Sequence, residues 1–359
     1  MPIDSKPYLR HASGNESQRK GSMTMTLKDS GGKGKYTLSL EKERGSYGKK
    51  IGLFHEAPEH NKYLIYIKTG YRIGYTSFKD CFKSIFSIHN ETVNIWTHLV
   101  GIFMYIFLSY YVCYLMPTTE ELRNFDGSQG ALVRYHKYFV EKILGYNVEH
   151  LREENSEVFP LILHYLGGVI CMACSTSHHV FMCHSEKVFH FFYKCDSFGI
   201  LFLALGMNFT MNFYIFYCEQ TFYIAYIYIG LANLNSLLIA ILTFHPKFNQ
   251  TKYRALRVWL FIIFGVICCI AIFHSLFITD PLYSYGAAPW WFSGNIISIF
   301  GSYIYVKKVP EKWYPCTFDH CGQSHNIWHL LIMVASGIHC IASLSMHYAR
   351  MDRVCPDCT

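Results

Sequence analysis

Seven stretches of this chain are long and apolar enough to cross a lipid bilayer, each within the roughly 17–25 residues that a spanning helix needs. They run from about Val93 to Met116, Val158 to Met182, Asp196 to Cys218, Thr221 to Phe244, Leu256 to Ile278, Trp290 to Val306 and Asn326 to His347. Charged residues make up 16% of the chain and apolar ones 51%, against about 25% charge in an ordinary soluble protein. The expectation is an all-α membrane protein with seven transmembrane helices.

Most connections are too short for an inserted domain, so residues 75–347 read as a single helical bundle. The exception runs from about Pro117 to Glu157. It mixes Glu120, Glu121, Arg123, Arg134 and Lys137 and suits a short surface helix. Residues 1–74 are rich in Ser, Gly and Lys, and the run Gly31-Gly32-Lys33-Gly34-Lys35 cannot nucleate a core. They read as a flexible basic cytoplasmic tail without a cleavable signal, so the first helix serves for insertion. Residues 348–359 read as a short extracytoplasmic tail.

Lys and Arg in short loops set orientation. Lys187 and Lys194, then Lys247, Lys252, Arg254 and Arg257, then Lys307, Lys308 and Lys312 fall in alternate loops. The opposite loops, near Glu219 and from Thr279 to Pro289, contain neither residue type. Arg72, Lys79 and Lys83 precede the first helix. The N-terminus is therefore expected in the cytoplasm and the C-terminus outside, the reverse of a G-protein-coupled receptor.

This topology brings distant polar residues to one depth. His179 falls about one turn from the cytoplasmic end of the second helix, Asp196 opens the third, and His325 and His329 straddle the start of the seventh. Ser175 and His179 share a helical face through their i, i+4 spacing, as do His325 and His329. Ionisable groups within a membrane are functional candidates by default. Three imidazoles can hold Zn²⁺ and leave a fourth position open.

Each candidate has a plainer reading. Nineteen histidines make chance i, i+4 pairs expected, and a lone intramembrane His usually bonds a neighbouring helix. His164 and His274 receive that reading. His178 points about 100° away from His179; His184 and His190 belong to a loop. In His55-Glu56-Ala57-Pro58-Glu59-His60 the histidines stand five apart and Pro58 interrupts a helix, so it fails as a zinc-protease motif. Cys113, Cys171, Cys174, Cys268 and Cys269 read as small apolar residues. Cys316 and Cys321 read as loop residues, and Cys355-Pro356-Asp357-Cys358 as an extracytoplasmic pair open to oxidation or metal. Glu91, Asn94 and His98 suit a polar network bracing the bundle.

The run from Cys81 to Gly101, C-F-K-S-I-F-S-I-H-N-E-T-V-N-I-W-T-H-L-V-G, resembles the first signature of the progestin and adipoQ receptor family, which is related to hemolysin III. Gly70-Tyr71-Arg72 is similar to an upstream family element. Ser175, His179 and Asp196 match a second signature, and His325-x-x-x-His329 a third. Cys183-His184-Ser185-Glu186-Lys187-Val188 is similar to the adiponectin-receptor branch. The resemblance implies zinc on His179, His325 and His329, with Asp196 and Ser175 beside it. It also implies a plasma-membrane receptor with ceramide-hydrolysing activity. Ser177-His178 stands where that branch usually has bulky apolar residues, and Cys195 precedes Asp196 where an apolar residue is usual.

Two function classes follow. In one, a water activated by zinc hydrolyses a ceramide-type lipid amide, with Asp196 as general base and Ser175 orienting water or carbonyl. In the other, zinc only staples helices in a non-enzymatic receptor or a lipid- or zinc-homeostasis signalling protein. The partners expected are membrane lipids (a sphingolipid or free fatty acid in the bundle) and an extracellular protein ligand, with no nucleic acid. A channel or transporter is disfavoured because the ionisable groups gather near one surface.

Overall fold

The computed structural model describes residues 50–352 and Cys355, apart from residues 63, 129, 154–155, 219–220, 246–252 and 279–280. Most of the expected basic tail, and Cys358, lie outside the described residues. The described part of that tail is ordered. β1 (Lys50–Gly52) pairs antiparallel with β2 (Tyr71–Ile73), placing Lys50 opposite Ile73 and Gly52 opposite Tyr71. Leu64, Ile67, Tyr71 and Ile73 bury a small core beneath this pair. Isolated aliphatic residues in a polar stretch gave no periodic signal, so the sequence reading missed it.

The remainder is helical. A short α1 (Phe78–Lys83) leads into α2 (Thr92–Tyr110), which ends in a π turn over Tyr111–Leu115. The long connection contains α3 (Thr119–Arg123) and α4 (Ala131–Tyr138). Thr118 caps α3, and Glu121 reaches back to its amide, a capping box. Then follow α5 (Phe159–Phe181), α6 (Glu186–Ile215), α7 (Phe222–Phe244), α8 (Arg254–Ile278), α9 (Pro281–Lys307) and α10 (Ser324–Asp352).

By length and hydropathy among the described residues, five segments qualify as membrane spans: Thr92–Leu115, α5, α6, α7 and α10. Within α8 the stretch Ile262–Ile278 is apolar among the described residues, and α9 includes Pro289. The chain is thus a multi-pass all-α membrane protein in which five of the seven expected spans meet the criterion.

The distribution of polarity supports this. Large apolar side chains such as Phe103, Phe107, Leu234, Leu237, Ile296 and Ile299 face outward, whereas His98, His164, Asn208, His339, Ser343 and His347 are buried. Lipid satisfies no hydrogen bonds, so polar groups gather between helices. His164 Nδ1 meets Ser343 Oγ at 2.9 Å and His274 Nδ1 meets Tyr228 OH at 3.0 Å. Along α10, buried polar residues continue beyond the histidine pair through Ser336, His339, Ser343, His347 and Arg350. The ionisable groups therefore do not all gather near one surface, contrary to the sequence reading.

Two helix starts differ from expectation. Asp196 does not open α6 but lies nearly three turns inside it, because Ser185 caps the helix by accepting from the Val188 amide. The first turns of α6 are polar, and a hydropathy window trims them. α9 likewise begins well before Trp290. At the opposite end of the bundle from His325, Cys355 forms a disulfide with Cys218 beyond the end of α6. The pairing within the C-terminal Cys-x-x-Cys is thereby excluded for Cys355.

Candidate metal centre

His179 lies in the last turn of α5, and His325 and His329 in the first two turns of α10. All three imidazoles are buried, and their candidate ligand atoms lie within 4.8 Å of one another. Ring centroids are 4.7 Å apart for His179 and His329, 4.7 Å for His325 and His329, and 5.1 Å for His179 and His325. Neither Glu91 nor Asp196 joins this group.

Local chemistry fixes each end of the site. Arg72 of β2 donates to the His179 carbonyl at 2.5 Å, to the Val180 carbonyl at 2.9 Å and to Ser84 Oγ at 2.9 Å. A guanidinium thus caps the carbonyl end of the helix that carries His179, favourable to both charge and hydrogen bonding. Glu311 does the reverse at α10: its carboxylate accepts from the Ser324 amide at 2.7 Å and from the Ser324 hydroxyl. An acidic group at a helix N-terminus stabilises the turn that presents His325. Asp319 ties the two sides together, accepting from the Thr69 amide and hydroxyl at 2.8 Å each. Gly70 sits between them at φ +84°, where a Cβ would come within 2.9 Å of the Asn90 amide. A side chain there would be strained as well as crowded.

Glu91 defines the orientation of one ligand. Its Oε2 lies 2.8 Å from His179 Nδ1 and accepts from Asn94 Nδ2 at 2.7 Å. Asn94 Oδ1 in turn accepts from Asn326 Nδ2 at 2.8 Å. A carboxylate on Nδ1 fixes the tautomer and leaves Nε2 with its lone pair toward the cluster, the usual outer partner of a metal-bound histidine. His329 Nδ1 is buried with no hydrogen-bond partner among the described residues. His98 stacks on the His329 ring at 3.9 Å between centroids.

These residues fit a metal ion. The donor set is three buried imidazoles, one already oriented by a carboxylate. A tetrahedral Zn²⁺ with nitrogen ligands at about 2.0–2.1 Å needs ligand atoms about 3.3 Å apart, so small ring movements close the site.

The other expected residues are distributed around it. The Ser175 hydroxyl hydrogen-bonds the carboxyl of Asp196, joining α5 to α6 one turn from His179. His178 is buried against Phe189 and Tyr193, its ring 5.2 Å from that of His179 but outside the three-histidine group. Arg72, Glu311 and Asn326 were missed as site residues. Arg72 carried a signal in Gly70-Tyr71-Arg72, but it entered the sequence reading only as loop charge and as part of the family resemblance, not as a site residue. Glu311 and Asn326 gave none, since their partners are distant in sequence.

Fold and site define a class: a multi-pass helical membrane protein with three buried histidines able to coordinate a metal ion. Residues 86–340 match the model of the haemolysin-III related family, and the chain belongs to that family, in the adiponectin-receptor-like branch of the progestin and adipoQ receptors. It is 29% identical over 313 residues to heptahelical transmembrane protein 3 of Arabidopsis thaliana, covering 85% of this chain and 89% of the relative. Progestin and adipoQ receptor-like protein 1 of Caenorhabditis elegans is 28% identical over 86% of this chain and 63% of its own length. The adiponectin receptor protein of Drosophila melanogaster is 29% identical over 76% of this chain and 54% of its own.

Proposed function

We propose that this protein is an adiponectin-receptor-like membrane receptor that holds Zn²⁺ on His179, His325 and His329 and hydrolyses a ceramide-type lipid amide. The observation that supports this reading is a buried three-histidine cluster beside a carboxyl–hydroxyl pair, Asp196 and Ser175, that takes no part in it. When bound, zinc supplies Lewis-acid polarisation and lowers the pKa of water toward about 7. Glu91 holds the His179 ring in register. Asp196 accepts the proton of the attacking water and delivers it to the departing amine nitrogen, while Ser175 orients the carboxyl. The products are a fatty acid and an amine.

The same proposal takes the chain across the membrane seven times, with its N-terminus in the cytoplasm, in the plasma membrane. An extracellular protein ligand is part of the reading, on analogy with the name of the fly relative. The loop charges support the orientation. So does the Cys218–Cys355 disulfide, because such bonds persist in oxidising compartments.

One observation favours a second reading, a non-enzymatic receptor in which zinc only joins α5 to α10: neither Glu91 nor Asp196 joins the three imidazoles. Purified wild type and Asp196→Ala should be compared for zinc content and ceramide turnover, with His325→Ala as the metal-free control. Zinc retained and turnover lost in Asp196→Ala supports hydrolysis. No turnover by wild type, across several lipid amides, leaves the structural role.

A further inference from the structure

The end of the bundle opposite the histidine cluster carries a second buried cationic site. From His325 to Arg350, α10 rises about 37 Å, more than the roughly 30 Å of hydrocarbon in a bilayer. Arg350 therefore reaches the opposite headgroup level. There it lines a cleft of about 440 Å³ together with Phe213, Tyr217, Phe222, Tyr223 and Tyr226.

Arg350 is 8% exposed. Its guanidinium is covered by Phe213 and Tyr217, with centroid distances of 5.0 and 5.1 Å, so its faces are closed and its edge donors point in the plane. Nη2 donates to Glu157 Oε1 at 2.6 Å. Nε and Nη1 are buried and have no hydrogen-bond partner among the described residues. Leaving donors of a buried cation unsatisfied is costly, and a ligand bearing an oxyanion relieves that cost. The mouth of the cleft is formed by Tyr223 and Tyr226, 62% and 65% exposed. Tyrosines in that position are typical of the membrane interface.

We propose that this cleft binds the phosphodiester of a membrane glycerophospholipid, its charge paired with the Arg350 guanidinium that lines the cleft and its acyl chains running down the outer faces of α6 and α7. Phosphate suits the site for two reasons. The donors sit at headgroup depth, and the adjoining wall is aromatic and opens toward lipid rather than toward water alone. The function is a lipid-dependent clamp on the end of the bundle where α6, α7 and α10 meet, independent of any chemistry at the histidines.

Native mass spectrometry of the full-length protein in a neutral maltoside detergent tests this, by titration with dioleoyl-phosphatidylglycerol, dioleoylglycerol, oleate and inorganic phosphate. One phosphatidylglycerol per chain is expected to bind saturably, with dioleoylglycerol, oleate and inorganic phosphate each about tenfold weaker or worse, as loss of a charge-assisted contact implies. Arg350→Gln should weaken phosphatidylglycerol about tenfold. Tyr223→Ala and Tyr226→Ala, at exposed positions that leave folding intact, should weaken it about threefold, and they carry the test if Arg350→Gln does not fold. Equal binding of dioleoylglycerol, oleate or inorganic phosphate overturns the proposal, as does phosphatidylglycerol affinity unchanged in both tyrosine variants.

Discussion

Two side chains show how single residues set the properties of this protein. Glu91 touches His179 Nδ1 and Asn94, so its loss alters ligand orientation without removing a ligand. Glu91→Gln is expected to weaken zinc binding about 10–100-fold, measured by competition with a chelator. Unchanged affinity would mean that the carboxylate only packs there. His136 of α4 lies between the Tyr111 hydroxyl and the Tyr348 hydroxyl, 2.5 Å from the latter. Burial pulls its pKa down to about 4. The unfolded imidazole titrates near 6.5, so the stability due to the neutral ring is complete above that value and is lost as pH falls toward 4. The loss amounts to about 3 kcal/mol at most. Melting temperature in detergent should therefore drop between pH 6.5 and 4, and less steeply in His136→Phe; equal slopes would remove His136 as the cause.

At the scale of helices, α5 and α6 pack most intimately. A Cβ at Gly167 would lie 2.6 Å from the Phe202 carbonyl oxygen, and one at Gly206 would lie 2.7 Å from that of Leu163. Backbone faces backbone at both points, so neither contact can be relieved by a side-chain rotation. Gly167→Ala or Gly206→Ala should cost about 1–3 kcal/mol and part the helices that hold Ser175 and Asp196. Gly230→Ala in α7, where a Cβ meets nothing within 4 Å, is the control and should melt at or above wild type. Equal melting of all three would refute the close packing. The helices themselves were legible from apolar runs, most closely where both ends coincide with a change in polarity, as in α5 and α7. Boundaries failed where a helix continues into polar residues. Glu186 to Cys195 belong to α6 because a Ser185 cap and intrahelical bonds hold them, and neither contributes to hydropathy.

Across the whole molecule, the histidine cluster occupies one end and the Cys218–Cys355 disulfide and Arg350 the other. If the proposed orientation holds, a membrane-impermeant reductant applied to intact cells, followed by an impermeant maleimide, will label Cys218 and Cys355. Labelling of these two only after permeabilisation would reverse the orientation. The β1–β2 unit adds a feature that a reading by composition overlooked. Residues 50–74 pack a small core and place Arg72 under the end of α5, so deleting them should release His179 as well as exposing Leu64 and Ile67. Zinc content and melting temperature should fall together in that deletion, whereas a site independent of the segment would keep its metal.

The sequence alone determined the class of the molecule, because the cost of placing polar groups in lipid forces long apolar runs that no tertiary contact is needed to recognise. It also nominated His179, His325 and His329, since i, i+4 spacing puts side chains on one helical face whatever surrounds them. Tertiary structure alone decided that the three imidazoles meet, that Glu91 orients one of them, and that Asp196 pairs with Ser175 outside the cluster. It alone joined Cys355 to Cys218 and left two donors of Arg350 without a partner. These contacts join residues far apart in the chain, 137 positions for Cys218 and Cys355, and depend on how helices are rotated and how deeply they are set. Periodicity along the chain describes one helix at a time and is silent on both.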